Sequence, residues 1–182
     1  MNATLTRYRA AGEPLGALLA ALPAGAWGAP SPCEGWAARD VVRHLVDTQR
    51  EFLAGRGVEL GPAPDVDADP AGAWARHAGA VEAALADEAV AAAPFDGYFG
   101  PTTTGETLER FYVWDMVVHR WDVATAAGLD AGLSEEELDR VEEGAAGFGE
   151  ALYLEGVCRP GVQAPAGAGR AARVLARLGR RA

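Results

Sequence analysis

Apolar residues return at helical spacing along most of the chain. Leu15, Leu18, Leu19 and Leu22 keep the rhythm of an amphipathic helix and predict a first helix over 4–22. Pro14 either kinks it or opens its second half. A second helix is predicted from about Ala37 to Ala54, with Gly55 as its stop and Val41, His44, Leu45, Thr48 and Phe52 as its inward line. Asp69–Pro70 reads as a cap and first-turn proline opening a third helix, through Trp74, Val81 and Leu85 to about Ala89. Ser134 and Glu137 have the spacing of a capping box, and a helix from there to about Tyr153 places Leu138, Val141, Ala145, Phe148 and Leu152 inward. A short last helix, about 168–178, carries Val174, Leu175 and Leu178.

The stretch 103–128 departs from this two-sided pattern. Thr103 and Glu106 read as a capping box, and Gly128 as a left-handed stop. Between them nearly every side is apolar, from Phe111, Val113 and Trp114 to Trp121 and Val123. A helix apolar all round is expected to be buried. Asp115 and His119 nevertheless sit in its middle, one turn apart on one face.

The connections are rich in glycine and proline. SPCEGW, 31–36, reads as a turn with Trp36 plugging the end of the bundle. Residues 55–69 form a loop whose alternating Asp65, Asp67 and Asp69 lack the glycine and distal glutamate of a calcium loop. Residues 93–102 read as an aromatic connection that covers a pocket mouth or simply packs. Residues 155–167 form an irregular passage, with 157–164 the one place for a short extended piece. No alternating run makes a convincing strand, and no internal repeat is found. The expected architecture is one all-α domain over 1–182, a four-helix bundle with a short additional C-terminal helix.

Charge narrows the partners. A net charge of −10 argues against nucleic acid or an anionic membrane, since either needs a basic surface. The run Arg170, Arg173, Arg177, Arg180, Arg181 reads as the solvated side of the last helix. Arg7 and Arg9 before PLGALLAALPAGA loosely imitate a signal peptide, but Glu13 and Pro14 interrupt it, and no run reaches the ~20 apolar residues of a membrane span. A cytoplasmic protein is expected. Pairing of two copies through an exposed helix face is open. Cys33 and Cys158 form no CxxC pair and read as small buried residues without a disulfide.

The chain has three histidines, and the candidate chemistry rests on two of them. His44 and His119 fall on core-facing sides of helices, and His77, beside Arg76, reads as surface or rim. Asp40, one turn before His44, is placed to hold that ring's outer nitrogen. His44, Asp115 and His119 are either a buried hydrogen-bonded cluster or ligands of a divalent cation held between facing helices. Three protein ligands would leave an open, catalytic position. Serine is scarce, with Ser31 and Ser134 in turn and cap positions, and Cys33 in its turn has no clear activating charge.

The string SPCEGWAARDVVRHL resembles the N-terminal signature of the mycothiol-dependent maleylpyruvate isomerase-like proteins of the DinB/YfiT-like superfamily. DMVVHRWDVATAAG resembles their second signature, and VLARLGRRA the short ending of the actinobacterial branch. The resemblance implies a DinB-like four-helix bundle with one divalent metal at one end: zinc first, nickel or manganese as alternatives. It implies the ligands His44, Asp115 and His119. It also implies a low-molecular-weight thiol, mycothiol or a similar one, as cosubstrate for isomerisation or S-transfer on a small electrophile. The characterised isomerases carry glutamate at the position of Asp115, so the shorter arm moves the ion or the helix. A metal- or small-molecule-binding protein of the same fold without turnover is the alternative. Asp122 is left open between a supporting partner of the site, a helix-end charge and simply a part of the family's WD-type motif.

Overall fold

The computed structural model describes residues 2–154 and 157–181. Glu155 and Gly156, at the start of the expected irregular passage, lie outside the described residues. Helix α1 (Ala3–Ala21) is capped by Asn2, whose side chain accepts the Leu5 amide, and it runs through Pro14. Helix α2 (Ala38–Gly55) begins where Asp40 accepts the Ala37 amide at 2.9 Å. Helix α3 (Pro70–Leu85) begins with Asp69 accepting the Gly72 amide at 2.9 Å. A short α4 (Glu88–Ala92) follows.

The aromatic connection is a hairpin. Strands β1 (Pro94–Gly97) and β2 (Gly100–Thr103) pair antiparallel around a turn at Tyr98 and Phe99, and Gly100 takes φ +105° there. Strands of four residues carrying Pro94, Gly97, Gly100 and Pro101 leave no alternation to read. The expected extended piece at 157–164 is not a strand among its described residues.

The stretch 103–128 is three segments. Thr103 and Glu106 form the capping box, each side chain accepting the other's amide, at 3.2 and 2.9 Å. Helix α5 (Thr104–Thr107) passes into a π-helical turn (Leu108–Val113) and then into α6 (Trp114–Ala127), which ends at left-handed Gly128. The wider i→i+5 turn re-phases the faces, so Leu108 is buried while Phe111 and Tyr112 are half-buried. Helix α7 (Glu135–Phe148) starts from the Ser134/Glu137 capping box and ends in a 3₁₀ turn (Gly149–Tyr153). Helix α8 (Arg170–Ala176) closes the chain.

Helix α1 packs against α3 and α6, α2 against α6 and α3, and α6 against α7. Tyr8, Leu15, Leu45, Leu53, Trp74, Leu85 and Met116 are fully buried among them. The molecule is therefore a mostly helical, all-α bundle of the DinB type, with one small hairpin. Among the described residues no helix is long and apolar enough to cross a membrane.

Three polar placements differ from expectation. His77 is buried, not at the rim: it shares the inward stripe of Trp74 and Val81 while Arg76 points out to Asp69. Its Nε2 lies 3.0 Å from Gln49 Oε1, which also accepts the Tyr8 hydroxyl at 2.8 Å. The α-helical stripe of α2 is rotated accordingly. Val42, Val46 and Gln49 are buried, and His44, Thr48 and Phe52 sit at its half-buried edge. Finally, Arg170 and Arg177 pair with acids of α7, but Arg180 turns inward and is 7% exposed.

Candidate metal centre

Helices α2 and α6 bring His44, Asp115 and His119 together. His44 Nε2 lies 3.0 Å from Asp115 Oδ2, and His119 Nε2 lies 3.3 Å from Asp115 Oδ1. One donor atom from each of the three falls within 4.8 Å of the others. The ring centroids of the two histidines are 5.0 Å apart, and Trp36 covers both, at 4.9 Å from His44 and 6.1 Å from His119. Trp36 thus closes this end of the bundle from the SPCEGW turn.

The other edge of His119 meets a second carboxylate. Asp122, with no exposed surface, places Oδ2 2.8 Å from Nδ1. The Cys33 thiol donates to the same oxygen at 3.2 Å, and the Arg180 guanidinium reaches it at 3.4 Å. Arg180 also donates to Cys158 Sγ at 3.2 Å and to the Leu178 carbonyl at 2.9 Å. Asp40 does not hold His44. Its oxygens are taken by the Ala37 amide and by Arg43, because an acid in the first turn serves the free helix amides. Asp122 holds the ring of a candidate ligand instead, three residues after His119. The missed members, Cys33 and Arg180, come from distant segments.

The profile of the mycothiol maleylpyruvate isomerase N-terminal domain matches residues 8–124, which include all three candidate ligands. The chain belongs to this family. Two uncharacterized proteins of Mycobacterium tuberculosis, from strains CDC 1551 / Oshkosh and ATCC 25618 / H37Rv, are each 31% identical over 137 residues, covering 72% of this chain and 71% of theirs. No solved structure matches.

Charge around this family member's His119 is set by its two carboxylates. Burial pushes the Asp115 carboxyl up, but the charge of His119 and hydrogen bonds from both histidines outweigh it and hold the group well below its usual range. Burial alone would lower His119, but Asp115's charge and hydrogen bonds to Asp115 and Asp122 raise it well above 6.5. Acceptors face both nitrogens of the ring, and the Nε2 edge, toward Asp115, is where a cation would sit.

A divalent ion fits this donor set. Ligand atoms at ~2.1 Å from a tetrahedral ion are roughly 3.4 Å apart, close to the 3.0 and 3.3 Å found here. Cys33, His119 and Asp122 also lie within 4.8 Å of one another. That second cluster already has its cation, since Arg180 is 3.7 Å from Cys33 and 3.4 Å from Asp122.

A cavity of about 750 Å³ opens beside the three donors, lined by His44, Asp115 and His119 together with Trp36, Phe111 and Phe148. Both cysteines line it too, half-buried and free, so neither is the core residue expected.

Proposed function

We propose that the chain is a divalent-metal-dependent enzyme of the cytoplasm. It uses a low-molecular-weight thiol of the mycothiol type for isomerisation of, or S-transfer to, a small electrophile. The observation that carries this reading is the convergence of His44 Nε2, the Asp115 carboxylate and His119 Nε2 on the wall of the cavity. Those three residues would hold the ion. Two nitrogens and a carboxylate oxygen suit zinc first, with nickel or manganese as alternatives.

When bound, such an ion supplies a lowered pKa to the thiol or water beside it. The rest falls to the protein. Asp122 fixes the Nδ1–H tautomer of His119, leaving Nε2 for the centre. Trp36 covers both imidazole rings, and the three donors face the cavity. Among the described residues the side chains that could act as nucleophiles near the cavity already have partners, Cys158 accepting from Arg180 at 3.2 Å. Cys33 lies on the Nδ1 side of His119 and donates a hydrogen bond to Asp122, Ser134 caps α7, and Ser31 closes its turn on Cys33. An external thiol fills that role.

The test is thiol-dependent turnover. Zinc-loaded protein with mycothiol should consume thiol or isomerise substrate across a panel of small electrophiles, and His44→Ala should lower the rate by roughly 100-fold or more. Saturable metal binding with no turnover on any of the panel would leave a binding protein of the same fold.

A further inference from the structure

The wall of the cavity is built from rings. Phe111 lies nearly parallel between Phe99 and Phe148, at 15° and 6.1 Å from one and 11° and 5.3 Å from the other. Trp114 meets Phe148 edge-on at 5.2 Å. Tyr112 completes the wall, and burial together with the charges of Asp115 and Glu51 pushes its phenol up to about 12, so it stays neutral. Offset and edge contacts of this kind are what a flat apolar guest would extend. A volume of about 750 Å³ is that of a pocket for a ligand of one to several rings.

Both arginines of the lining face acidic side chains, one buried and one at the exposed rim. Arg180 is buried against Asp122, Cys158 and the Leu178 carbonyl. Arg159 pairs at the rim with Glu34, which also lines the cavity. Arg110 stands behind the ring wall, 4.1 Å from the Phe99 centroid and 5.6 and 5.9 Å from those of Phe111 and Phe148, and donates to the Gly147 carbonyl at 3.2 Å. Among the described lining residues each arginine already faces an acidic side chain, so a guest carboxylate would compete with Asp122 or Glu34 for it.

We propose that the electrophile taken here is a neutral, apolar, ring-sized molecule, such as an activated aryl halide, and not a small dicarboxylate. The reaction rests on the thiol-using reading above, whereas the binding preference stands on the cavity alone. With an aryl halide, the thiol sulfur forms the new carbon–sulfur bond, the carbon–halogen bond breaks, the halide leaves with its electron pair, and the thiol proton passes to solvent.

Isothermal calorimetry on the full chain, metal-free and zinc-loaded, tests the preference with 1-naphthalenemethanol and maleate as probes. The expected result is saturable binding of the naphthalene at least tenfold tighter than maleate. Phe111→Ala should weaken it at least fivefold, and so should Phe99→Ala, whose site is half exposed on the hairpin and carries little folding risk. Maleate binding as tight as the naphthalene, or naphthalene binding indifferent to both variants, would overturn the proposal. A parallel assay with mycothiol and 1-chloro-2,4-dinitrobenzene separates the two claims. Tight naphthalene binding without thiol turnover supports the cavity's preference and removes the thiol-using reading alone.

Discussion

Asp122 Oδ2 lies 2.8 Å from His119 Nδ1, on the ring edge opposite Asp115. A carboxylate in that place fixes the ring and raises its basicity toward a cation at Nε2. Asp122→Asn keeps the shape and removes the charge, so zinc affinity should fall about 10–100-fold. Competition against a chromophoric chelator reads this directly. Unchanged affinity would show that Asp122 does not act through His119.

Arg180 is the buried counter-charge of Asp122. Removing one partner of such a pair leaves the other uncompensated, and Arg180→Gln should lower stability at pH 7 by about 3 kcal/mol. Urea unfolding of wild type and variant measures it. A loss within about 0.5 kcal/mol, the size of an ordinary surface change, would return Arg180 to the solvated side of the C-terminal segment.

Gly144 on α7 faces Trp114, the residue before Asp115. A Cβ there would meet the indole at 2.5 and 2.6 Å. The indole is fixed by its Nε1–H donating to the Val141 carbonyl at 3.1 Å. Alanine gains about 1 kcal/mol of helix propensity, whereas overpacking costs roughly 1–3 kcal/mol. Gly144→Ala should therefore be neutral to destabilising by about 2 kcal/mol in urea. A stabilised variant would show that α7 and α6 are not this tightly packed.

His77 should make stability depend on pH. Burial, with a contribution from Arg50's charge, lowers its pKa from 6.5 to about 4. The unfolded chain therefore binds a proton between those values that the folded chain refuses. Its contribution is fully present above pH 6.5 and is lost as pH falls toward 4, by roughly 3 kcal/mol in total. Unfolding midpoints from pH 7 to 4 should fall less steeply in His77→Gln than in wild type. Parallel slopes would contradict the burial of an uncharged ring.

The three candidate ligands were legible because each lies in a clear helical frame. Asp115 and His119 are one turn apart between a capping box and a stop glycine, and His44 sits one residue from a buried leucine. The supporting shell was harder. Asp122 is three residues from His119, a spacing shared by partners and bystanders alike. Arg180 reaches Asp122 across 58 residues, and no local pattern carries such a contact. The π-helical turn hides because the capping box and Gly128 frame one continuous stretch, and an i→i+5 shift leaves no signature in residue types. The hairpin hides because four-residue strands with proline and glycine show no alternation. The burial of His77 hides in the sequence because exposed Arg76 stands beside it, although His77 shares the stripe of Trp74 and Val81.

The most direct test of the central claim is metal content by elemental mass spectrometry. It requires protein purified without chelator or metal-affinity tag, beside His44→Ala. The account predicts near-stoichiometric divalent metal in the wild type and strongly reduced metal in the variant. Wild-type protein that holds no metal after incubation with zinc, nickel or manganese would contradict it. His44, Asp115 and His119 would then be a partly buried hydrogen-bonded cluster and nothing more.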